Sequence, residues 1–162
     1  MRALPEPVER VARYLRESGT EARIEEYSGG TPTAEDAARA AGASLEQIVK
    51  SLVFVCDGRY VLVLTPGDRR ADPRKVASAT GAGQARIASP TQVEEATGFA
   101  PGAVAPFPLT SVELVLLDRR LLVHDQVWVG AGSPRHLAAV DPADLARLTR
   151  GRAVDVTEDA GP

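Results

Sequence analysis

Apolar residues near the start of the chain recur at the spacing of an α-helix. Val8, Val11 and Leu15 fall on one helical face, and Gly19 stands where a helix-ending glycine is common. The pattern predicts a first helix over residues 7–18 and a short strand over residues 22–27. A loop with two glycines, residues 28–32, follows the strand.

Polar capping residues mark the starts of the other helices. Thr33 with Asp36 forms a capping pattern for a helix that Gly42 closes, and Ser44 with Gln47 repeats the pattern for a short helix. Three more helices are predicted where an Asp or a Ser precedes a proline, namely over residues 73–80, 90–97 and 142–148.

Two apolar runs in the middle of the chain are joined by Asp57-Gly58, a strong β-hairpin signal. The runs predict strands over residues 52–56 and 59–65. Later strands are predicted over residues 113–117, 126–129, 136–140 and 153–156. The irregular order of helices and strands favours a mixed α/β domain, α+β-like, over a doubly wound parallel sheet. We assign residues 1–156 to one domain and expect residues 157–162 to form a flexible tail.

The composition is that of an ordinary folded domain, with 162 residues, 44% hydrophobic and 25% charged. Charges interrupt the N-terminal segment, and no apolar run approaches the length of a membrane span. We therefore expect a cytoplasmic protein that does not bind membranes. The net charge of −3 argues against tight, non-specific binding of DNA, but it allows a transient encounter with nucleic acid.

The chain offers few soft metal ligands. Its one cysteine, Cys56, lies in an apolar run and is interpreted as a buried hydrophobic residue, and it excludes an internal disulfide. His124 and His136 are its two histidines. This set predicts no transition-metal site.

Lys50 lies between the predicted short helix and the first strand of the hairpin. The local sequence favours an ordinary lysine that benefits from the helix C-terminal dipole. The alternative is a lysine that its apolar neighbours direct into a cleft.

Three turns could contact a ligand, although each is also compatible with a surface turn. Residues 102–108 (GAVAPFP) could aim amide groups at a ligand oxygen, and residues 129–136 (VGAGSPRH) could permit close approach of the main chain. Arg69 and Arg70 could meet phosphates. Ser51, Ser89 and Ser133 lack the G-x-S-x-G pattern, so a serine-hydrolase triad has no local support.

The order of these motifs resembles the YbaK/ProX family, which also occurs as the editing domain inserted in bacterial prolyl-tRNA synthetases. The resemblance covers about residues 7–156, and it rests on the segments TAEDAA (33–38), IVKSLVF (48–54), PGDRR (66–70), ASP (88–90), TGFAPGAVAPF (97–107) and VGAG (129–132). It implies a mostly antiparallel mixed sheet curled into a barrel-like core with surrounding helices. It also implies a hydrolase, without cofactor, that cleaves the ester between a wrong amino acid and its tRNA.

The resemblance also implies an active site. Lys50 matches the key lysine of the family, and Gly102 and Pro106 match its G-x-x-x-P loop. Gly130 and Gly132 match a late glycine-rich turn.

Further substrate contacts are expected beside these residues. His136 resembles a histidine of the synthetase-inserted relatives, and we assign Ser51 to the substrate site. Tyr27, Thr33 and Phe107 are expected to form the pocket walls.

Two functions remain open at this stage. The first is a deacylase of tRNA(Pro) mischarged with cysteine or alanine, with the tRNA acceptor end as partner and prolyl-tRNA synthetase as a candidate second partner. The second is a non-catalytic module that binds an aminoacyl-tRNA or a synthetase. We expect a monomer or a weak homodimer.

Overall fold

Two long central strands of equal length form the main hairpin. β2 (Val49–Cys56) and β3 (Arg59–Pro66) pair in antiparallel register from end to end. The turn residues Asp57 and Gly58 have φ values of 50° and 81°, the left-handed conformation that a tight two-residue hairpin requires. The predicted hairpin is confirmed, but its first strand begins three residues earlier than expected, so Lys50 lies inside a strand.

The computed structural model describes residues 3–159. Within them lie five α-helices: α1 Glu6–Glu17, α2 Ala34–Ala41, α3 Pro73–Thr80, α4 Pro90–Thr97 and α5 Pro142–Thr149. The other strands are β1 Arg23–Glu26, β4 Ala85–Ile87, β5 Leu114–Asp118, β6 Val127–Gly130, β7 His136–Val140 and β8 Arg152–Val154. Two 3₁₀ helices span Leu45–Gln47 and Arg119–Val123.

The strands form two sheets. One has the order β4-β2-β3-β5-β8, and the other has the order β1-β7-β6. Four of the six strand pairs are antiparallel, and β3–β5 and β5–β8 are parallel, which confirms the mixed sheet character. The described residues form two sheets and no closed barrel, so the barrel-like core is not confirmed.

The main hydrophobic core lies between the two sheets and is closed by helices. It combines residues of β2, β3 and β5 with residues of β6 and β7, and α1 and α5 cover it with Val11, Leu15, Leu145 and Leu148. Burying these large side chains supplies the principal driving force for folding.

The predicted helix caps are present. The Thr33 side chain accepts a hydrogen bond from the Asp36 amide, and Ser89, Asp72 and Asp141 cap α4, α3 and α5 in the same way. Short-range capping therefore fixes where four of the helices begin.

Several short elements differ from the prediction. β4 was not predicted, because a three-residue strand carries no readable periodicity. The last strand is Arg152–Val154 rather than residues 153–156. Of the predicted flexible tail, Thr157 is fully buried, and the Glu158 amide donates to the Arg70 carbonyl at 2.8 Å. Residues 160–162 of that tail lie outside the described residues.

Phe107 lies in the core. Its side chain is 1% exposed, and its ring stacks on Tyr14 with centroids 5.4 Å apart. Pro106 beside it is also buried. Its ring completes the core between α1 and the second half of the chain, and the expectation that Phe107 also forms a wall of the substrate pocket stays a prediction.

Replacing Phe107 with alanine is expected to lower the free energy of unfolding by about 3–5 kcal/mol, because the cavity left in the core cannot fully collapse. Phe107→Leu keeps most of the buried volume, so its loss should stay below about 1.5 kcal/mol. Urea unfolding of both variants measures the difference. An unchanged midpoint for Phe107→Ala would contradict the core assignment.

Candidate functional site

A cavity of about 370 Å³ opens where the two sheets meet. Ile48, just before β2, forms an isolated parallel bridge with Trp128 of β6, and this bridge brings the start of β2 beside the second sheet. Six of the residues predicted for the site line the cavity: Thr33, Lys50, Ser51, Gly102, Gly130 and His136. Its volume falls within the usual range of small-molecule sites.

The Lys50 side chain is half-buried at the cavity wall. Its ammonium group donates a hydrogen bond to the main-chain carbonyl of Arg69, in the loop after β3. This contact fixes the end of a flexible side chain and leaves its other N–H donors for a ligand.

The pKa of Lys50 is lowered from its ordinary value. Burial is the largest cause, because it penalises the charged form, and the positive charge of Arg70 acts in the same direction. Asp68 and Glu35 act in the opposite direction. The site therefore holds an ammonium group that loses its proton more readily than a lysine in water.

The loop that carries Gly102 packs directly on the strand that ends in Gly130. A Cβ atom on Gly130 would lie 2.4 Å from the Val104 carbonyl oxygen, closer than real contacts allow. Gly102 itself has a φ of 82° with open space around it. Gly130 is thus required for close main-chain approach, and Gly102 for a left-handed turn.

His136 and Ser133 meet at another wall of the cavity. Ser133 Oγ lies 2.6 Å from His136 Nδ1, and it accepts a hydrogen bond from the Arg135 amide at 3.0 Å. His136 Nε2 lies 3.6 Å from a Glu26 carboxylate oxygen across the β1–β7 pair. The imidazole is held on both sides, and its ring borders the cavity while remaining 3% exposed.

Ser51 presents a buried hydroxyl without a hydrogen-bond partner among the described residues. Such orphaned groups are uncommon in folded proteins, and a ligand is one way to satisfy them. Because Ser51 lines the cavity next to Lys50, its hydroxyl is available to a bound molecule.

Several predicted contacts lie away from the cavity. Tyr27 is absent from its lining, and the Tyr27 hydroxyl donates to Glu25. A Cβ atom on Gly132 would lie 2.8 Å from the Pro7 carbonyl, so the absence of a side chain there permits packing on the start of α1. Gly132 and Tyr27 therefore stabilise the surroundings of the cavity rather than line it.

The two predicted phosphate-binding arginines border separate grooves outside the cavity. Arg69 lies beside Arg120 and His124. Arg70 lies in a groove that it shares with Lys50 and Arg86. Their contact with tRNA stays a prediction.

Ser133 was not among the residues predicted for the site. Its only local signal was the Ser-x-x-His spacing, which places a hydroxyl and an imidazole on the same turn. Leu137 also lines the cavity, and it carried no signal because its position there depends on contacts between distant segments.

No helix within residues 3–159 is long and apolar enough to cross a membrane.

Comparisons with known proteins agree with the geometry. Residues 28–148 match the model of the aminoacyl-tRNA editing domain. The chain is 33% identical over 138 residues to the uncharacterized protein YwhH of Bacillus subtilis, a match covering 84% of this chain and 87% of YwhH. It is 36% identical over 132 residues to the proline--tRNA ligase of Nitratidesulfovibrio vulgaris (strain DP4), a match that covers 80% of this chain but 22% of the ligase.

A solved structure agrees with the fold over nearly the whole chain. It belongs to a protein proposed to be a trans-editing enzyme for prolyl tRNA synthetase, and it superposes with a TM-score of 0.90 at 37% identity, covering 97% of this chain and 100% of the other. The resemblance expected from the ordered motifs is thereby confirmed. The chain belongs to the aminoacyl-tRNA editing domain family and is an aminoacyl-tRNA deacylase.

Proposed function

We propose that this chain removes cysteine or alanine from mischarged tRNA(Pro) by hydrolysing the ester at the tRNA 3′ end. The observation that carries the proposal is one cavity in which Lys50 meets the loop of Gly102, with Ser51 and His136 on the same lining. These groups suit an ester with a small acyl part and an anionic nucleic-acid part.

Lys50 acts as an anchor for the terminal phosphate or ribose. A protonated lysine has no lone pair and can only donate, and its ammonium is already aimed by the Arg69 carbonyl. The lowered pKa of Lys50 is also compatible with a second role, in which the neutral amine serves as general base. We favour the anchor, because the Arg69 carbonyl accepts a hydrogen bond from the ammonium and so stabilises the charged form.

The loop of Gly102 stabilises the negative charge that develops on the ester carbonyl oxygen. The Ala103 amide already donates to the Ala100 carbonyl within the loop, so we assign the oxyanion role to the amides of Gly102 and Val104. Each aligned donor of this kind commonly lowers the barrier by about 3 kcal/mol.

The attacking group is water or, for a cysteinyl ester, the thiol of the substrate. Attack on the carbonyl carbon forms the tetrahedral oxyanion, and its collapse breaks the bond to the ribose oxygen, which takes up the proton lost by the attacking group. Attack by water gives the free amino acid directly, whereas attack by the thiol gives a cyclic thioester that a water molecule then opens. No serine or cysteine of the chain needs to be acylated.

Pocket size sets which amino acid is removed. Small and aliphatic residues dominate the lining, among them Ala34, Ala37 and Val104. A pocket of this kind can disfavour the correct proline ester, although one methylene discriminates by only about 1–3 kcal/mol.

The choice of tRNA is assisted by a second protein, for which prolyl-tRNA synthetase is the candidate. The net charge of −3 gives the chain little general attraction for nucleic acid. A cytoplasmic location and a monomer or weak homodimer fit this role and remain part of the proposal.

Single-turnover deacylation of tRNA(Pro) charged with Cys, Ala, Ser, Thr or Pro tests the function. We expect release of cysteine or alanine and sparing of proline. Lys50→Ala should slow the reaction about 10- to 100-fold, because it removes charge-assisted hydrogen bonds to the tRNA end. Retained binding without cleavage of any of the five would support the non-catalytic module instead, and a wild-type rate for Lys50→Ala would remove that residue from the site.

Gly130→Ala tests the role of the Gly102 loop. The added methyl group pushes on the Val104 carbonyl and displaces the proposed oxyanion donors, so the deacylation rate should fall about tenfold or more. The matched control is Gly29→Ala, since a Cβ atom there meets nothing within 4 Å. Equal rates for the two variants, measured where both are folded by circular dichroism, would count against the loop.

A further inference from the structure

The segment that holds the Lys50 ammonium is itself paired with residues near the end of the described chain. The Arg70 carbonyl accepts from the Glu158 amide at 2.8 Å, and the Asp72 amide donates to the Val156 carbonyl at 2.8 Å. Between these bonds, Ala71 and Thr157 form an antiparallel bridge. Residues 70–72 thus lie in a short ladder outside both sheets.

This ladder restricts the Arg69 carbonyl. The Arg69 carbonyl and the Arg70 amide belong to the same planar peptide unit, so two dihedral angles separate the acceptor of Lys50 from the carbonyl that Glu158 holds. On its other side, the Arg69 amide donates to Pro66 at 3.1 Å. A shift of residues 156–158 would therefore move the acceptor of the Lys50 ammonium.

A fully buried carboxylate anchors the far strand of the ladder. Asp118 accepts from the Val156 amide at 3.1 Å and from the Arg120 amide at 3.0 Å. The Arg120 guanidinium then reaches Asp155 at 3.2 Å and the Thr157 hydroxyl at 3.1 Å. A buried carboxylate without partners would be strongly destabilising. Loss of one of these bonds is therefore expected to disturb the others, and we treat them as one coupled unit.

Lys75 of α3 completes the unit. Its ammonium donates to Asp155 at 3.0 Å, to the Thr157 carbonyl at 2.7 Å and to Asp159 at 2.8 Å. The hydrogen bond from Lys75 is the first cause that lowers the pKa of Asp155, so this carboxylate stays charged to a lower pH than in water. We name Lys75, Asp118, Arg120 and Asp155 the Asp118 clamp.

We propose that the Asp118 clamp positions Lys50 for deacylation by fixing residues 155–159 and, through the ladder, the Arg69 carbonyl. Asp155 is then a positioning residue that touches no substrate, since it contacts Lys75 on one side and Arg120 on the other. The expected effect on the deacylation rate rests on the proposed function, whereas the expected effect on the Lys50 side chain does not.

Isolated ion pairs at a surface contribute little, and Asp155 is partly exposed. The clamp differs because Asp118 and Lys75 bond the main chain of the ladder at Val156 and Thr157, and because Arg120 pairs with both Asp155 and the buried Asp118. Removal of the Asp155 carboxylate should therefore shift the main chain of residues 156–158 as well as the neighbouring side chains.

Asp155→Ala tests the inference by two readouts. The chain contains two lysines, Lys50 and Lys75, so a sample labelled with ¹³Cε-lysine gives two side-chain signals by NMR, and Lys50→Arg assigns them. Both signals should shift in Asp155→Ala, that of Lys75 by direct contact and that of Lys50 through the ladder. A shift confined to Lys75 would overturn the proposal, and this result needs no substrate.

The second readout is the deacylation rate, which should fall about three- to tenfold in Asp155→Ala and stay within about twofold in a Lys50→Ala background. Equal losses in both backgrounds would mean a general structural effect and would contradict positioning of Lys50. Asp144→Ala is the matched control, because Asp144 is as exposed as Asp155 and pairs with Arg147 on α5. A wild-type protein that is inactive on every tRNA would contradict the proposed function. The lysine NMR signals would still show whether the Asp118 clamp controls the surroundings of Lys50.

Discussion

The hydrogen bond from the Lys50 ammonium to the Arg69 carbonyl is the contact on which the geometry of the site depends. It ties a side chain of the central hairpin to the loop after β3, and that loop is tied in turn to residues 156–158. A lysine side chain in water loses much conformational entropy when it is ordered. Here the protein has ordered it before any ligand arrives, which is what preorganised catalysis requires.

The second part of the site, the loop of Gly102, depends on a glycine in the strand beside it. Gly130 lets the Val104 carbonyl approach β6, and the loop of Gly102 lines the same cavity as Lys50. The chain uses arginine for nearly all its cations and has lysine at two positions, one of them in the cavity. A compact ammonium fits that half-buried position better than a guanidinium, which spreads its donors over a plane.

Features fixed by neighbouring residues could be predicted from the sequence. The helix caps and the Asp57-Gly58 turn depend on spacings of one to three residues, and the structure has them where expected. The core position of Phe107 could not be predicted, because a core ring and a pocket wall have the same apolar sequence context and its stacking on Tyr14 joins segments distant in sequence. Gly132 and Gly130 share one motif, yet one packs on Pro7 and the other on Val104, a difference made by contacts distant in sequence.

The pH dependence of kcat/KM, measured as the ratio of wild type to Lys50→Arg on an alanyl- or cysteinyl-tRNA(Pro), tests the role of Lys50 most directly. Lysine with a lowered pKa loses its proton as the pH rises toward 10.5, whereas arginine stays charged. Titration of the substrate amino group affects both proteins alike, so it cancels in the ratio, and the rate of spontaneous ester hydrolysis is subtracted from each measurement. A protonated anchor predicts that the ratio falls as the pH rises, and a ratio that rises with pH would contradict it and assign the neutral amine as the base.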